Sequence, residues 1–313
     1  MTVNDYTVGI ICALHNELRA VRYLIDDVHP DIQLSSRDTN YYALGRMGSH
    51  NVVMTCLPAS EYGTNAAASV ASQMYISFPM VQFALLVGIA GGAPSEVDVR
   101  LGDVVVGLPT GTRPGVVQYD LGRVIADGSF QETGCLQTPP PVLLTAVERL
   151  RTDRIMSRNP LQTYLDAITQ RDSRYGCPGK NRDILFKADC SHSVMTGNQQ
   201  CRQVQRRARD FEYPYIHYGL IASGNRVIKN ALQRDLLAKR HNILCFEMEA
   251  AGIMNAIPCL VIRGICDYSD CHKNKAWQEY ASATAAAYAK LLLSRIEPYQ
   301  LPWKRTTGTH DKA

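Results

Sequence analysis

The 313-residue sequence lacks any apolar run near the ~18 residues that a membrane-spanning helix needs, and its N-terminus lacks the basic and apolar segments of a secretory signal. It also lacks a strong charge bias, because the net charge is only +4 and the basic residues are spread out except at 202–209. These absences disfavour nucleic-acid and membrane partners. They predict a soluble, cytoplasmic protein whose partner is a small molecule.

Paired metal-ligand spacings are missing as well. The ten cysteines occur singly, many inside apolar segments where a thiol behaves as a small hydrophobic group, which is typical of a reducing compartment. Cys190-Ser191-His192 and Cys266 to Cys271-His272 are the nearest approaches to a zinc motif, and neither has the required spacing. We therefore predict no metal, no cofactor and no catalytic Cys/His pair.

With 46% hydrophobic and 20% charged residues, the chain has the composition of an ordinary globular protein. Segments typical of buried strands alternate with segments of helical periodicity. The predicted strands are 7–13, 51–57, 83–87, 103–108, 217–222, 243–246 and 259–265, and the predicted helices are 16–26, 63–78, 141–152, 230–239 and 275–296. This alternation predicts an α/β fold, a three-layer α/β/α sandwich with a mixed, mostly parallel central sheet.

One domain is expected over 6–296, since the strands and helices follow each other without a second core. The stretch 151–201 interrupts this order, because it is polar, basic and punctuated by proline and glycine. It is predicted to be an insertion, either a lid over the site or a mobile surface loop. The tail 297–313 loses its apolar period and is expected to be a frayed terminus or a linker.

Two acidic positions at strand ends predict a site. Phe246-Glu247-Met248-Glu249-Ala250 follows one apolar strand, and Asp267 follows the next one. The ends of parallel strands form one rim of an α/β sheet, where ligands bind, so both carboxylates are expected to face one substrate. The alternative is that each acid only caps a helix or complements its dipole.

A glycine-rich segment, Val87-Gly88-Ile89-Ala90-Gly91-Gly92, follows another apolar strand and is expected to form a turn that lets the backbone approach a ligand. Its spacing matches neither the dinucleotide fingerprint nor the P-loop, which disfavours a Rossmann dehydrogenase. Near the N-terminus, Glu17 lies in the first turn of a predicted helix. Taken alone, Glu17 is explained by the helix dipole.

Six motifs in one order resemble the nucleoside phosphorylase and methylthioadenosine/S-adenosylhomocysteine nucleosidase superfamily. They are 8–17, the glycine-rich segment, Leu101-Gly102-Asp103-Val104-Val105, Ile221-Ala222-Ser223-Gly224-Asn225, Phe246 to Ala250 and Ile265-Cys266-Asp267. The resemblance covers roughly 6–296 apart from the insertion. It is strongest to the fungal nucleosidase-type domains found at the front of multidomain immune-receptor-like proteins, with 263–268 and His272-Lys273-Asn274-Lys275 typical of them.

The resemblance implies a role for each matching residue. Glu17 matches the glutamate that activates the attacking water, and Asp267 matches the aspartate that protonates the purine near N7. Met248 and Glu249 match the ribose-binding pair. The apolar run before Asp267 is expected to desolvate it, as an acid catalyst at neutral pH requires. The substrate-binding set implied by the resemblance is Gly91, Ile228, Phe246, Glu247, Met248, Glu249, Ile89 and Ala90.

Departures from the superfamily pattern bear on the reaction. Where its phosphorylases place a Gly-Asp pair and arginines that hold phosphate, this chain has Ala13-Leu14-His15 and Leu86-Val87, which favours water as the nucleophile. The usual serines are replaced by Ile89 and Cys266. The expected function is therefore a purine nucleosidase for adenosine or inosine, as a homodimer or higher homo-oligomer. The alternatives are a phosphorylase, a nucleosidase for nucleotides or methylthioadenosine, and a non-catalytic nucleoside sensor.

Overall fold

The computed structural model describes residues 1–153, 160–189, 202–209 and 214–298. Most of the predicted tail, part of the predicted insertion, and Cys190 and His192 lie outside the described residues. None of the helices in these ranges combines the length and the hydropathy that crossing a bilayer requires.

Strands and helices alternate along most of the described chain, as predicted. The strands are β1 Val8–Cys12, β2 Asp27–Val28, β3 Ala43–Met47, β4 His50–Cys56, β5 Phe83–Gly92, β6 Val104–Gly107, β7 Val116–Gln118, β8 Gly122–Val124, β9 Phe130–Glu132, β10 Ile216–Ser223, β11 Ile243–Glu247 and β12 Cys259–Asp267. The helices are α1 His15–Arg22, α2 Thr64–Ser77, α3 Pro141–Asp153, α4 Pro160–Arg171, α5 Ala231–His241, α6 Ala250–Ile253 and α7 Gln278–Leu293.

The central sheet is mixed, which confirms the predicted fold class. Its strand order is β11-β10-β6-β12-β5-β1-β4-β3-β2, with β7 paired to β10. In its middle, β1 runs parallel to β4 and β5, and β5 runs parallel to β12. The pairs β12–β6, β11–β5, β3–β4 and β2–β3 are antiparallel. Parallel neighbours place the carboxyl ends of β1, β5 and β12 at one rim.

Helices cover both faces of this sheet and complete three layers. On one face, apolar side chains of α1, α3, α4 and α7 pack against the strands in one continuous core cluster. On the other face, α2 and α6 supply the helical part of a second cluster. α7 lies very close to β12, because a Cβ at Gly264 would overlap the carbonyl group of Ala281. Glycine at this position therefore allows a long, alanine-rich helix to pack directly on the central strands.

The glycine-rich segment corrects one prediction. It is not a turn, since β5 continues through it to Gly92. Gly91 pairs with Phe246 of β11 on one side and with Asp267 of β12 on the other. Because glycine has no side chain, three strands and their functional groups approach each other here more closely than larger residues would permit.

The predicted insertion also differs from expectation, because part of it is regular. Residues 160–171 form α4, which buries Leu161, Leu165 and Ile168 against the core cluster that contains α7. These side chains recur at three- and four-residue spacing, but the polar residues between them hid the period in a stretch that looked polar overall. The short strands β2 and β3, and the hairpin of β8 and β9, were not predicted either.

Candidate active site

Four strands end close together and bring the predicted acids to one rim of the sheet. Glu17 lies in the first turn of α1, directly after β1. Glu249 follows β11, and Asp267 is the last residue of β12. All of them are buried, with exposed fractions of 1%, 6% and 4%. Between them runs the end of β5, so the contacts of each acid with that strand define the site.

Glu17 is fixed by backbone amides from two strand ends. Its Oε2 accepts hydrogen bonds from the N–H groups of Ala13, at 2.7 Å, and Leu14, at 2.8 Å. Its Oε1 accepts from the N–H of Ile89 in β5, at 2.8 Å. Burial raises the pKa of Glu17, although Arg263 and these N–H groups act in the opposite direction. The carboxylate is therefore held rigidly at the sheet rim rather than only complementing a helix dipole.

Arg263 lies close to three glutamates, Glu17, Glu247 and Glu249. Its side chain is fully buried on β12, where one terminal nitrogen donates to Glu247 and lies 3.3 Å from Oε2 of Glu249. Burial by itself lowers the pKa of Arg263, but Glu247, Glu249 and Glu17 together raise it. A Cβ at Gly88 would lie 2.7 Å from Oε1 of Glu17 and would also meet the guanidinium. Arg263 therefore joins the three glutamates into one cluster, which requires glycine at position 88.

Glu247 and Glu249 are held differently. The carboxylate of Glu247 accepts from the N–H groups of Glu249, at 3.1 Å, and Ala250, at 3.0 Å, and it pairs with Arg263. Glu249 has longer contacts, 3.4 Å to the N–H of Met248 and 3.3 Å to Arg263. Burial, together with the charges of Glu247 and Glu17, raises the pKa of Glu249 to about 7. Glu249 is thus the glutamate better able to exchange its contacts for a ligand.

Asp267 of β12 lies beside Gly91 of β5, three residues beyond Gly88, which faces Glu17. Its Oδ1 accepts from the N–H of Ser269 at 2.8 Å, and a Cβ at Gly91 would lie 2.7 Å from this oxygen. Its Oδ2 lies 2.9 Å from Nζ of Lys273 and 3.2 Å from Sγ of Cys266. The sequence predicted apolar surroundings for this carboxyl group. The structure adds a cation, Lys273, that the residue pattern did not reveal.

The other predicted site residues are apolar, and most of them lie near the ends of β11 and β5. Ile228 and Phe246 pack in one apolar cluster near the end of β11, Met248 is half-buried, and Ile89 is half-buried against Cys266. The side chain of Ala90 packs instead into the core cluster that contains α2. Ala90 therefore contributes its backbone to the rim and its side chain to the core.

Part of the predicted insertion, together with Arg206 beyond its end, forms a wall next to Asp267. The guanidinium of Arg206 donates to the hydroxyl of Tyr268, at 2.8 Å, and pairs with Asp183 at 2.8 Å. The ring of Phe186 stacks on His272 with centroids 3.8 Å apart. These contacts bound a cavity of about 360 Å³ lined by, among others, Arg182, Phe186, Asp267, His272 and Lys273. Residues 182–186 of the predicted insertion thus border the same cavity as Asp267.

Three charged residues of the site were not predicted, and the sequence gives a sign of only one of them. Arg263 is the only charge in the apolar run 259–266, which is a usable sign of a buried ion pair. Nothing comparable marks Lys273 or Arg206, because contacts across a loop leave no period in the sequence. Within the described ranges, no three His, Cys, Asp or Glu side chains lie close enough together to hold a metal ion.

No family model matches the sequence. The chain is 45% identical over 300 residues to a nucleotide-binding leucine-rich repeat (NLR)-like protein of Hyaloscypha variabilis, which covers 95% of this chain and 30% of that protein. It is 26% identical over 289 residues to the ATP nucleosidase Cap17 of Escherichia coli, covering 90% and 49%. It is 24% identical over 302 residues to the 5'-methylthioadenosine/S-adenosylhomocysteine nucleosidase of Mycobacterium bovis, covering 92% and 95%. The chain thus spans less than half of the first two relatives.

Solved structures share the fold. Futalosine hydrolase of Helicobacter pylori superposes with a TM-score of 0.60 at 17% identity, covering 92% of this chain and 97% of that one. The 5'-methylthioadenosine/S-adenosylhomocysteine nucleosidase of Neisseria meningitidis, in complex with methylthio-immucillin-A, superposes with a TM-score of 0.60 at 18% identity, covering 92% and 98%. At these identities the similarity establishes the architecture, and the site chemistry has to be argued from this chain's own residues.

Proposed function

Because the chain belongs to the nucleoside phosphorylase and methylthioadenosine/S-adenosylhomocysteine nucleosidase superfamily, we propose that it is a purine nucleosidase. The reaction is hydrolysis of the N-glycosidic bond, which releases a free purine base and ribose. Glu17 and Asp267 are the proposed catalytic residues, and Glu249 with Met248 binds the ribose. The names of the relatives support the reaction class, and the arrangement of the acids supports the roles.

One observation carries this proposal: Glu17 and Asp267 lie at the two ends of the same four-residue stretch of β5. Glu17 contacts the strand at Gly88 and Ile89, whereas Asp267 contacts it at Gly91. Three residues of extended strand span roughly 10 Å. Inverting glycosidases separate their two carboxyl groups by about 6.5–9.5 Å to admit a sugar and a water molecule. The spacing along β5 is of that order and suits a nucleoside with water near Glu17 and base near Asp267.

The surroundings of Glu17 support water rather than phosphate as the nucleophile. The N–H groups of Ala13 and Leu14, which face the rim after β1, already donate to the Glu17 carboxylate. Arg263 is likewise held by glutamates. A phosphate dianion would meet carboxylates in place of free amides and arginine, and this repulsion disfavours phosphorolysis. A neutral water molecule pays no such electrostatic penalty.

In the proposed reaction the bond between C1' and N9 lengthens first, and positive charge develops on the sugar. Anionic Glu249 beside the ribose hydroxyls, and anionic Glu17 beside the water, stabilise this oxocarbenium-like state. Glu17 then takes a proton from the attacking water. The electron pair of the broken bond remains on the purine, and Asp267 delivers a proton near N7. The step assigned to Glu17 and the step assigned to Asp267 thus match the points at which these residues contact β5.

The substrate within this class is open to test. The named activities of the relatives place ATP and methylthioadenosine beside adenosine and inosine as candidates. Of the basic residues in the insertion, Arg174 is paired with Asp172, whereas Arg182 borders the cavity next to Asp267 and is available to a charged substrate. The predicted homo-oligomer stays a prediction, which light scattering of the purified protein tests.

Chromatography of reaction mixtures tests the proposal. The protein is incubated with adenosine, inosine, guanosine, methylthioadenosine and ATP in buffer without phosphate, and free base is quantified. Base release from at least one compound is expected, with none from matched mixtures containing the Asp267→Asn variant. Tight binding of a nucleoside by calorimetry without turnover, unaffected by Glu17→Ala, would instead support the sensor alternative.

A further inference from the structure

Hydrogen-bond donors surround the carboxyl group of Asp267. Its neighbours are the N–H of Ser269 at 2.8 Å, the ammonium of Lys273 at 2.9 Å and the thiol of Cys266 at 3.2 Å. Each of these groups is a hydrogen-bond donor. Three donors around one carboxyl group match its anionic form, whereas the departing purine needs a proton. The proton must therefore be stored on a neighbouring group.

We infer that Lys273 is a positioning residue that stores this proton and supplies it through Asp267 to the departing purine base. The inference rests on the proposed function and extends it to a residue outside the predicted catalytic set. Two structural observations carry it. The ammonium of Lys273 is in contact with Asp267, and both residues line the same cavity.

As the bond between C1' and N9 breaks, its electron pair stays on the purine, whose N7 takes a proton from Asp267. Asp267 takes a proton in turn from the Lys273 ammonium across their 2.9 Å contact. Lys273 becomes a neutral amine and is protonated again by water, which reaches it because 30% of its side chain is exposed. Asp267 is anionic before and after the cycle.

Several charged groups face Lys273 from the elements around it. Asp267 and Cys266 belong to β12, Asp270 and His272 belong to the loop that carries Lys273, and Arg182 comes from the insertion across the cavity. The imidazole Nδ1 of His272 faces Asp270 at 3.7 Å. Burial lowers the pKa of Lys273, but the charges of Asp267 and Cys266 and the hydrogen bond to Asp267 together raise it by more, so the net pKa is above its ordinary value.

This arrangement predicts the alkaline side of the pH profile. In the wild-type protein the stored proton persists until Lys273 titrates, so kcat/KM should show no decline due to this pair up to at least pH 9. In Lys273→Met the proton has to reside on Asp267 itself. A carboxyl group loses its proton as pH rises, so kcat/KM of this variant should fall about tenfold per pH unit above neutrality.

A second variant separates proton supply from electrostatic support. Lys273→Arg keeps a cation beside Asp267, but a guanidinium does not release its proton in this range. We expect the same declining profile for Lys273→Arg as for Lys273→Met, with kcat/KM at pH 8.5 reduced by roughly 10²–10⁴ and the deficit shrinking at pH 5. Lys275→Met is the matched control, because Lys275 is an exposed lysine two residues further along the same loop, and its profile should follow that of the wild type.

The experiment measures base release by the wild-type protein and the three variants from pH 5 to 9, with thermal melting to verify folding. Declining profiles for both Lys273 variants support the inference. A Lys273→Met profile parallel to the wild type, or a flat profile for Lys273→Arg, would overturn it and leave the nucleosidase proposal intact. Absence of base release by the wild-type protein at every pH would overturn both.

Discussion

The Glu17 carboxylate accepts a hydrogen bond from the backbone N–H of Ile89 at 2.8 Å, which joins the first turn of α1 to the glycine-rich end of β5. Glu17 is a buried acid, and its other oxygen is held by the N–H groups of Ala13 and Leu14. A carboxylate fixed by backbone groups on two strands has little freedom to move, so it is already in place before a ligand arrives.

Replacement of Glu17 by glutamine should remove the base that activates water. We expect kcat to fall by roughly 10²–10⁴, the usual contribution of general-base catalysis, while binding of a substrate or product changes much less. Glutamine keeps one acceptor oxygen but loses the other, so a stability loss of about 1–3 kcal/mol is also expected. Calorimetric titration with a nucleoside beside the rate assay separates the two effects. An active Glu17→Gln protein would contradict the assigned role.

Replacement of Arg263 by methionine should destabilise the whole fold. The guanidinium is fully buried between Glu247 and Glu249, and its removal leaves both carboxylates without their cation. Breaking a buried pair of this kind typically costs about 3–5 kcal/mol. Urea denaturation measures the change. Arg174→Met is the matched control, because Arg174 is paired with Asp172 at the surface and should alter stability little.

Stability should depend on pH through Glu249. Its folded-state pKa is raised from 4.5 to about 7 by burial and by neighbouring glutamates. The folded protein therefore binds this proton more tightly than the unfolded chain, so Glu249 stabilises the fold at low pH and this contribution is lost as pH rises from 4.5 to about 7.

Glu249→Gln should remove this dependence. The free energy of unfolding of the variant, relative to the wild type, is expected to increase between pH 5 and pH 8, by an amount on the order of 1–3 kcal/mol. Denaturation curves at several pH values give this difference directly. A constant difference across the range would show that Glu249 keeps the same protonation in both states.

Gly91→Ala should impair catalysis more than stability. The added Cβ would lie 2.7 Å from Oδ1 of Asp267 and would also meet the hydroxyl of Ser269, so these side chains have to shift. Displacement of an acid by even ~1 Å is sufficient to reduce a rate about 10²-fold. Rate measurements beside thermal melting test this. A fully active Gly91→Ala protein would mean that Asp267 does not act from its observed position.

The sequence predicted the parts of this protein that depend on local pattern. The buried strands have continuous apolar runs and α2, α5 and α7 have helical periodicity, so their positions were predicted to within a few residues. The sequence placed Glu249 and Asp267 at one rim by treating β11 and β12 as parallel strands. The structure corrects this reasoning, because β12 runs parallel to β5 whereas β11 runs antiparallel to it. The two acids border the same strand because the end of β11 pairs with Gly91 and Gly92 of β5. Glu17 was predicted to be a site residue only from the resemblance of the six ordered motifs. Its position in the first turn of a helix is by itself explained by the helix dipole.

Contacts between distant segments were not predictable from pattern. Gly91 has partners in both β11 and β12, and only these pairings turn an expected loop into a strand end. Lys273 approaches Asp267 through a loop conformation that no residue spacing encodes. The helix α4 was missed because its three buried residues lie among polar ones, and its packing against the core decides its structure.

Labelling with ¹⁸O distinguishes water from phosphate as the group that attacks the sugar. The protein is incubated with the compound it cleaves best, in water enriched in ¹⁸O, with and without inorganic phosphate, and the sugar product is analysed by mass spectrometry. Activation of water by Glu17 predicts ribose, or the correspondingly 5'-substituted ribose, carrying ¹⁸O at C1', at a rate that phosphate does not increase. A phosphate-dependent reaction that forms a sugar 1-phosphate without ¹⁸O would show that phosphate, not water activated by Glu17, is the nucleophile.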